Sequence, residues 1–567
     1  MPLSKHINTE KLISDSRDDA RSLVERASGE EARKYTSRRY GQAPLPKYEF
    51  PSTGVDDNVA YQLIHDELNG DSTPFLNLAS FVTTRMSSLG QKLVDENINK
   101  NIADQDQYKS SFELQNRVIS MMSDLWKVPK DGSCSAVGTV TAGSSEGLLM
   151  GVLALKKLWQ GKVIAENAAL ESAQANSQNV SNTTPATQKH KTPRSFKEPG
   201  GNMIFASSAH CCVEKAARYF DLEARIVPIG EKSSEKGEGS RYTLDPEAIP
   251  DLVDENTIGV VVIAGSTYTG HIEDVIGVNK VLDRVQKERG FDIPIHVDAA
   301  SGGFVLPFAF PKHKWAFDVP RVHSINSSGH KYGGTYVGSG IVIWKDETLL
   351  PKELVFEMHY LGSTELSFTL NFSRPAAPVI AQYYNFINLG YEGYCSILQN
   401  DFSNARILAR ALEKSGYFEV LSDNHRLDPN SDVKDNQLAE AYAPSLPVVA
   451  FRWTDKFREE HPYLEQKWVQ ILMKTKGWIL PNYGMSENLT SVEIIRAVMR
   501  EEMSEDMLDI LVKDLIEVQE ALMDDSSDFY KLALTSSGKK PSTKQPSEDT
   551  REEKKEDDAH QGYSRPC

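Results

Sequence analysis

The sequence predicts an α/β protein built on a largely parallel sheet, with a smaller α+β domain towards its C-terminus. Three observations predict it. From Leu76 onward, helical stretches alternate with short β-rich runs, the pattern of strands joined by crossover helices. One run, IGVVVIAGS at 258–266, is continuously apolar, as a strand buried on both faces must be. After about residue 400, two strand signals, LPVVAFRW (446–453) and SVEIIRAVM (491–499), precede an amphipathic helix.

The elements follow in order. Residues 1–75 are polar and carry no strand run. Within them YGQAPLPKYEFPSTG (40–54) is proline-punctuated and extended, and DDNVAYQLIHDEL (56–68) reads as a short helix. An N-terminal arm packed on another subunit is expected. Residues 76–400 hold the main domain, with strands at GNMIFAS (201–207), ARIVPIG (224–230), 258–266, IPIHVDAA (293–300), RVHSINSSG (321–329) and GSGIVIW (338–344). Residues 161–200 interrupt it. They are rich in Asn, Ser, Thr, Gln and Ala without apolar period, and read as a mobile surface insertion. Residues 401–535 form the small domain. It closes on a helix from near Ser504 with Met507, Leu508, Leu511, Leu515, Val518 and Leu522 on one face. The tail, 536–567, has no Val, Ile, Leu, Met, Phe or Trp. It is expected to be disordered, because it cannot bury enough surface to offset ordering entropy.

Composition narrows the function. The 567 residues are 40% hydrophobic and 25% charged, with 63 Lys and Arg against 80 Asp and Glu, a formal net charge of −17. An acidic chain repels phosphate backbones, so no nucleic-acid partner is expected. No apolar run approaches the roughly 20 residues that span a bilayer, so no membrane is expected. The first residues lack an apolar signal core, and Asp15, Asp18 and Asp19 are unlike a transit peptide. Five cysteines without C-x-x-C spacing make no disulfide framework. A cytoplasmic location and no metal are expected.

Chemistry concentrates at strand ends. In IPIHVDAASGGF a strand ends at Asp298 and is followed by residues too small to fill the space beyond it. Asp298 suits either a flat cationic ligand or the cap of the next helix. In SINSSGHKYGG another strand leads to Ser328, His330 and Lys331 between glycines. A buried lysine there attacks carbonyls, whereas an exposed one merely sits in a turn. Asp and Lys together are what pyridoxal phosphate needs, one for its ring nitrogen and one for a Schiff base. In VGTVTAGSSEGLLMGVLALKKLW, Gly143, Ser144 and Ser145 open a helix, as a phosphate cradle or simply as a helix cap. No Walker loop and no G-x-G-x-x-G occurs. His210, between a strand and a helix, could stack on a cofactor ring or cap the helix. Thr267, ending AGSTYTG, could bond a ring substituent or start a turn.

Taken together, LNLASFVTT (76–84), INKNIADQDQY (98–108), GSSE (143–146), HVDAASGGF (296–304), SGHKYG (328–333) and NFSRP (371–375) resemble the pyridoxal-phosphate-dependent amino-acid decarboxylases. The likeness is closest to the glutamate decarboxylases, in a fungal-type form, and runs from about Ala43 to Met523 outside 161–200. It implies the aspartate-aminotransferase-like fold with a mostly parallel seven-stranded sheet. It implies decarboxylation of L-glutamate to γ-aminobutyrate and CO₂ with pyridoxal 5′-phosphate. Position by position, it implies Lys331 as Schiff-base lysine and Asp298 as pyridinium partner. Ser144, Ser145, Ser328 and His330 would lie at the phosphate, and Ser373 would reach it from a partner subunit. Thr267 and Ala300 would touch the ring, and His210 would stack on it. Arg496 would receive the α-carboxylate, with Ser80 and Phe81, and Asn101 and Asp104 from across a dimer interface, around the distal carboxylate. The resemblance implies a homodimer or dimer-based oligomer.

Two departures stand out. The position of His210 is glutamine in the bacterial and plant glutamate enzymes. The tail carries seven basic and seven acidic side chains and no apolar anchor, so no calmodulin-binding helix is expected. Another amino acid as substrate is the nearest alternative; aromatic substrates would leave Ser80, Asn101 and Asp104 without a carboxylate to receive. A non-catalytic scaffold would have no need of Lys331 and Asp298.

Overall fold

The computed structural model describes residues 48–178, 194, 200–230, 242–360 and 363–524. The 536–567 tail, most of 179–200 and residues 1–47 lie outside the described residues. The chain forms two compact units, Met1–Pro74 and Phe75–Cys567. The described part of the first holds helix α1 (Asp57–Leu68), started by the Asp56 side chain accepting the Asn58 N–H. Its Tyr61, Ile64 and Leu68 are exposed at helical spacing.

The second unit begins with α2 (Ser88–Asn97) and α3 (Lys109–Leu125). A seven-stranded sheet follows, made of β1 (Val137–Thr141), β2 (Asn202–Ala206), β3 (Glu223–Val227), β4 (Thr257–Ile263), β5 (Ile295–Asp298), β6 (Val322–Ser328) and β7 (Gly340–Trp344). Its order is β1-β7-β6-β5-β4-β2-β3, and β7 alone runs against the others. Helices α4 (Ser144–Gln178), α5 (Cys211–Tyr219), α6 (Val275–Arg289) and the short α7 (Leu306–Ala309) connect these strands. Every residue of β4 is buried, which explains its unbroken apolar run.

Beyond β7 lie a two-stranded hairpin, β8 (Phe356–Tyr360) with β9 (Ser363–Ser367), and the long α8 (Ala377–Ser415). Gly390 kinks α8 with a left-handed φ of 58° that glycine alone adopts cheaply. An antiparallel sheet in the order β10-β11-β13-β12 completes the fold: β10 (Phe418–Val420), β11 (Val448–Trp453), β12 (Asn482–Gly484) and β13 (Glu493–Val498). Helices α9 (Asp455–Glu460), α10 (Lys467–Thr475) and α11 (Glu505–Met523) accompany it. The face predicted for α11 is buried at Leu508, Leu511, Leu515, Val518 and Leu522, and Ser504 caps the helix through the Met507 N–H. Residue 400, the expected domain boundary, falls inside α8.

The described first part of the segment 161–200, expected as a mobile surface insertion, is helical. These residues continue α4. The apolar period stops because, past Val163, most of residues 164–173 are exposed and have no core to meet. Arg194 anchors here: its backbone N–H donates to Asn167 Oδ1 (2.8 Å) and its carbonyl accepts from Asn167 Nδ2 (2.7 Å). No helix among the described residues is long and apolar enough to cross a membrane.

One buried acid makes stability depend on pH. Glu273 Oε2 accepts the N–H of Ile263 at the end of β4 (2.7 Å), and burial pushes this carboxyl up to about 8. The folded state therefore holds a proton that the unfolded chain releases near 4.5. The resulting stabilisation is full below that value and is lost as pH rises through about 8. The melting temperature is expected to fall more steeply from about pH 5 to about pH 9 in the native protein than in Glu273→Gln. Parallel slopes in differential scanning fluorimetry would exclude Glu273 as the cause.

Candidate active site

Five strands running the same way deliver their carboxyl ends to one cavity of about 200 Å³. β1 leads into Gly143, Ser144 and Ser145; β2 into Ser208 and His210; β4 into Gly265 and Thr267. β5 ends in Asp298 and continues to Ala300 and Ser301, and β6 ends in Ser328, with His330 and Lys331 just beyond. Nine residues expected from the sequence thus share one wall: Ser144, Ser145, His210, Thr267, Asp298, Ala300, Ser328, His330 and Lys331.

The serine turn is tightly built. Ser328 Oγ donates to Ser144 Oγ (2.7 Å), and the Ala142 N–H is taken by Glu146 Oε2 (2.8 Å). β7 passes so close that a Cβ on Gly340 would lie 2.3 Å from the Gly143 carbonyl carbon. His330 donates from Nδ1 to the Ser339 carbonyl (2.8 Å), which leaves Nε2 as its remaining ring nitrogen. Burial lowers its pKa, and Lys331 lowers it further. His210 takes the capping role and also faces the cavity. Its Nδ1 accepts the Cys212 N–H (3.3 Å), capping α5, while the residue lines the cavity.

Asp298 is 4% exposed. Its Oδ1 accepts from the Ala300 N–H (3.2 Å) and from Asn326 Nδ2 (2.9 Å). Lys331 Nζ lies 3.3 Å from Ser301 Oγ and 5.3 Å from the centre of the Phe81 ring. Burial depresses its amine below the ordinary lysine value, Asp298 opposing and Arg496 reinforcing the shift. The guanidinium of Arg496, on β13, stands 4.9 Å from the same Phe81 ring, between the carbonyls of Thr267 and Ala79, to which it donates. The amine and the guanidinium thus both approach the Phe81 ring.

The chain matches the family model of the pyridoxal-dependent decarboxylase conserved domain over residues 53–196 and 186–427. A glutamate decarboxylase of Saccharomyces cerevisiae is 39% identical over 524 residues, covering 88% of this chain and 83% of the relative. The chain belongs to the glutamate decarboxylases. An Aliivibrio fischeri glutamate decarboxylase is 37% identical, covering 83% of this chain and 89% of the relative. The solved structure of a Lactobacillus brevis glutamate decarboxylase superposes with a TM-score of 0.70 at 32% identity, over 85% of this chain and 96% of that one.

Not every residue named from the likeness to glutamate decarboxylases lines the cavity. Asn101, Asp104 and Ser373 cluster with one another instead: Asn101 Nδ2 donates to Ser373 Oγ (3.3 Å), and the Asp104 N–H donates to the Asn101 carbonyl (3.1 Å). Ser80 is occupied locally, its Oγ accepting the Val82 N–H (3.1 Å). Sequence reasoning also passed over residues. Thr83 holds the lysine turn, its Oγ1 donating to the Lys331 carbonyl (2.7 Å). Asn326 and His296 back the Asp298 carboxylate. Polar residues recur at every second position, His296 and Asp298 on β5 and Ser324, Asn326 and Ser328 on β6, but this alternation points to Asp298 only once the two strands are placed in register.

Proposed function

We propose that the chain removes the α-carboxylate of L-glutamate as CO₂, leaving γ-aminobutyrate, with pyridoxal 5′-phosphate held between Asp298 and Lys331. The observation that carries this reading is one cavity in which a buried carboxylate, a depressed amine and a serine-bearing helix N-terminus meet. Two features fit that cofactor: the serine turn opens α4, where backbone N–H groups favour phosphate, and Thr267 Oγ1 is buried without a hydrogen-bond partner among the described residues. When bound, pyridoxal phosphate supplies the conjugated ring that takes up the electron pair released with CO₂.

The chain's own residues divide the remaining work. Ser144, Ser145 and Ser328 would hold the phosphate, and His330 would join them through Nε2 once protonated. Asp298 would keep the ring nitrogen protonated. His210 would lie against the ring, with Thr267 and Ala300 at its edge. Burial leaves more of Lys331 as free amine, the form that attacks a carbonyl. Arg496 has two nitrogens tied to backbone carbonyls, while its Nε has no partner among the described residues and would serve the α-carboxylate. Ser80 and Phe81 adjoin it, and Asn101, Asp104 and Ser373 would come from a second copy. Balance requires one proton taken up per CO₂ released. A cytoplasmic location belongs to the same proposal. Calmodulin has no place in it, given the tail's composition.

The test is the cofactor-loaded protein with a panel of amino acids, measuring CO₂ and amine. Glutamate is expected to be decarboxylated at least about 100-fold more efficiently than aspartate, a discrimination of about 2.7 kcal/mol. Faster release from another amino acid would overturn the assignment of substrate.

Assembly follows from the same reading. The protein is expected to sediment as a dimer or a multiple of it. Inactive Lys331→Ala mixed with an inactive Asp104 variant would regain up to about a quarter of the sites, because one site of each heterodimer is intact. No recovery on mixing after subunit exchange would contradict a shared site.

A further inference from the structure

We propose that Asn326 and His296 are positioning residues that fix the Asp298 carboxylate from inside the sheet, and that Gly147 and Gly151 of α4 form their seat. The inference rests on the assignment of Asp298 given above.

The hydrogen-bond directions are forced. Asn326 Nδ2 has two hydrogens and two neighbours that only accept, Asp298 Oδ1 (2.9 Å) and the Ser144 carbonyl (3.2 Å). Asn326 Oδ1 is therefore the acceptor towards His296 Nε2 (2.7 Å), and that nitrogen carries the proton. His296 Nδ1 is then left to accept from Ser324 Oγ (2.7 Å). The chain runs Ser324 to His296 to Asn326 to Asp298, each member donating to the next. Ser324, His296 and Asn326 are fully buried. Burial lowers the histidine pKa, in keeping with this neutral tautomer.

The strand register builds the relay, since His296 pairs with Ser324 and Asp298 with Asn326 across β5 and β6. Helix α4 presses on it. A Cβ on Gly147 would stand 3.1 Å from Asn326 Cβ, and one on Gly151 would stand 2.4 Å from His296 Cε1. The two glycines are four apart, on one helix face. Asn326 and the Ala300 N–H hold Oδ1 of Asp298, which leaves Oδ2 to serve the cavity that this residue lines. Neither His296, Asn326 nor Gly151 lines that cavity, so none touches substrate or cofactor there.

The experiment compares Asn326→Ser, His296→Phe, His296→Gln and Gly151→Ala with the native protein. The first readout needs no turnover: affinity of the apoprotein for pyridoxal phosphate, titrated by absorbance and tryptophan fluorescence. Asn326→Ser is expected to weaken it and to lower kcat about 10- to 100-fold, the effect of removing a hydrogen bond to a charged group, and His296→Phe to act in the same direction by releasing Asn326, both with KM for glutamate within about twofold. His296→Gln, which can restore an N–H donor, should recover most of the loss. Gly151→Ala should shift both quantities in the same direction from outside the cavity. Unchanged affinity and kcat in folded Asn326→Ser, or in folded Gly151→Ala should Asn326→Ser not fold, would overturn the relay. Rescue by glutamine no better than phenylalanine would reduce His296 to packing. If the native protein decarboxylated nothing, the assignment of function would fall, while the cofactor titration would still decide the relay.

Discussion

Replacing Lys331 with alanine is expected to lower turnover about 10⁴-fold or more, some 5.5 kcal/mol in barrier height, while the chain stays folded. The side chain has little structural work. Its amine touches Ser301 Oγ and the Phe81 ring, whereas the turn that carries it is held through its backbone carbonyl, to which Thr83 donates. Alanine keeps that carbonyl. Borohydride reduction of the native protein should fix the cofactor to the peptide bearing Lys331, and the alanine variant should yield no such adduct. A reduced adduct mapped to another lysine, or a variant with more than about 1% activity, would remove Lys331 from its role.

The fold was legible where burial imposes a pattern. β5 and β6 mix apolar residues with buried polar ones, whereas β2, β4 and β7 carry apolar runs because they lie buried inside the sheet, and each was readable from its run. β1 was not. Its VGTVT sequence mixes small and polar residues because it is an edge strand paired only with β7. The short β10 and β12, three residues each, and the hairpin β8–β9 carry too few residues for a period to emerge. The continuation of α4 to Gln178 was hidden for the opposite reason, since an exposed helix has no need of an apolar stripe.

The site was legible at its chemistry-bearing ends and not behind them. Asp298, Lys331 and the serine turn announce themselves by residue type at strand ends. Asn326 does not, because a single Asn in a strand signals nothing until the neighbouring strand is placed in register with it. Nor can one chain's sequence show where Asn101, Asp104 and Ser373 act. They gather beside one another at a distance in sequence, outside the cavity of their own chain.

Asp298→Asn carries the second large expected effect, a fall in turnover of about 10³-fold or more, because stabilising charge at the reacting centre supplies most of the rate enhancement in such catalysis. The substitution preserves shape. Its amide oxygen can take over the bonds from the Ala300 N–H and Asn326 Nδ2, since both neighbours only donate there. The NH₂ group is then forced towards the cavity. A donor would face the position where a protonated ring nitrogen must also donate, so the nitrogen would lose its proton and its capacity to accept the electron pair. Asp298→Glu separates charge from placement. It keeps the carboxylate but lengthens the arm by one methylene, so Asn326 can no longer hold it in the same orientation. Turnover of Asp298→Glu is expected to lie between the native protein and Asp298→Asn, with the cofactor's absorbance resembling the native form in the first and altered in the second. Near-native turnover in Asp298→Asn would show that no negative charge is required at the end of β5. Equal losses in both variants would show that position, not charge, is what Asp298 supplies.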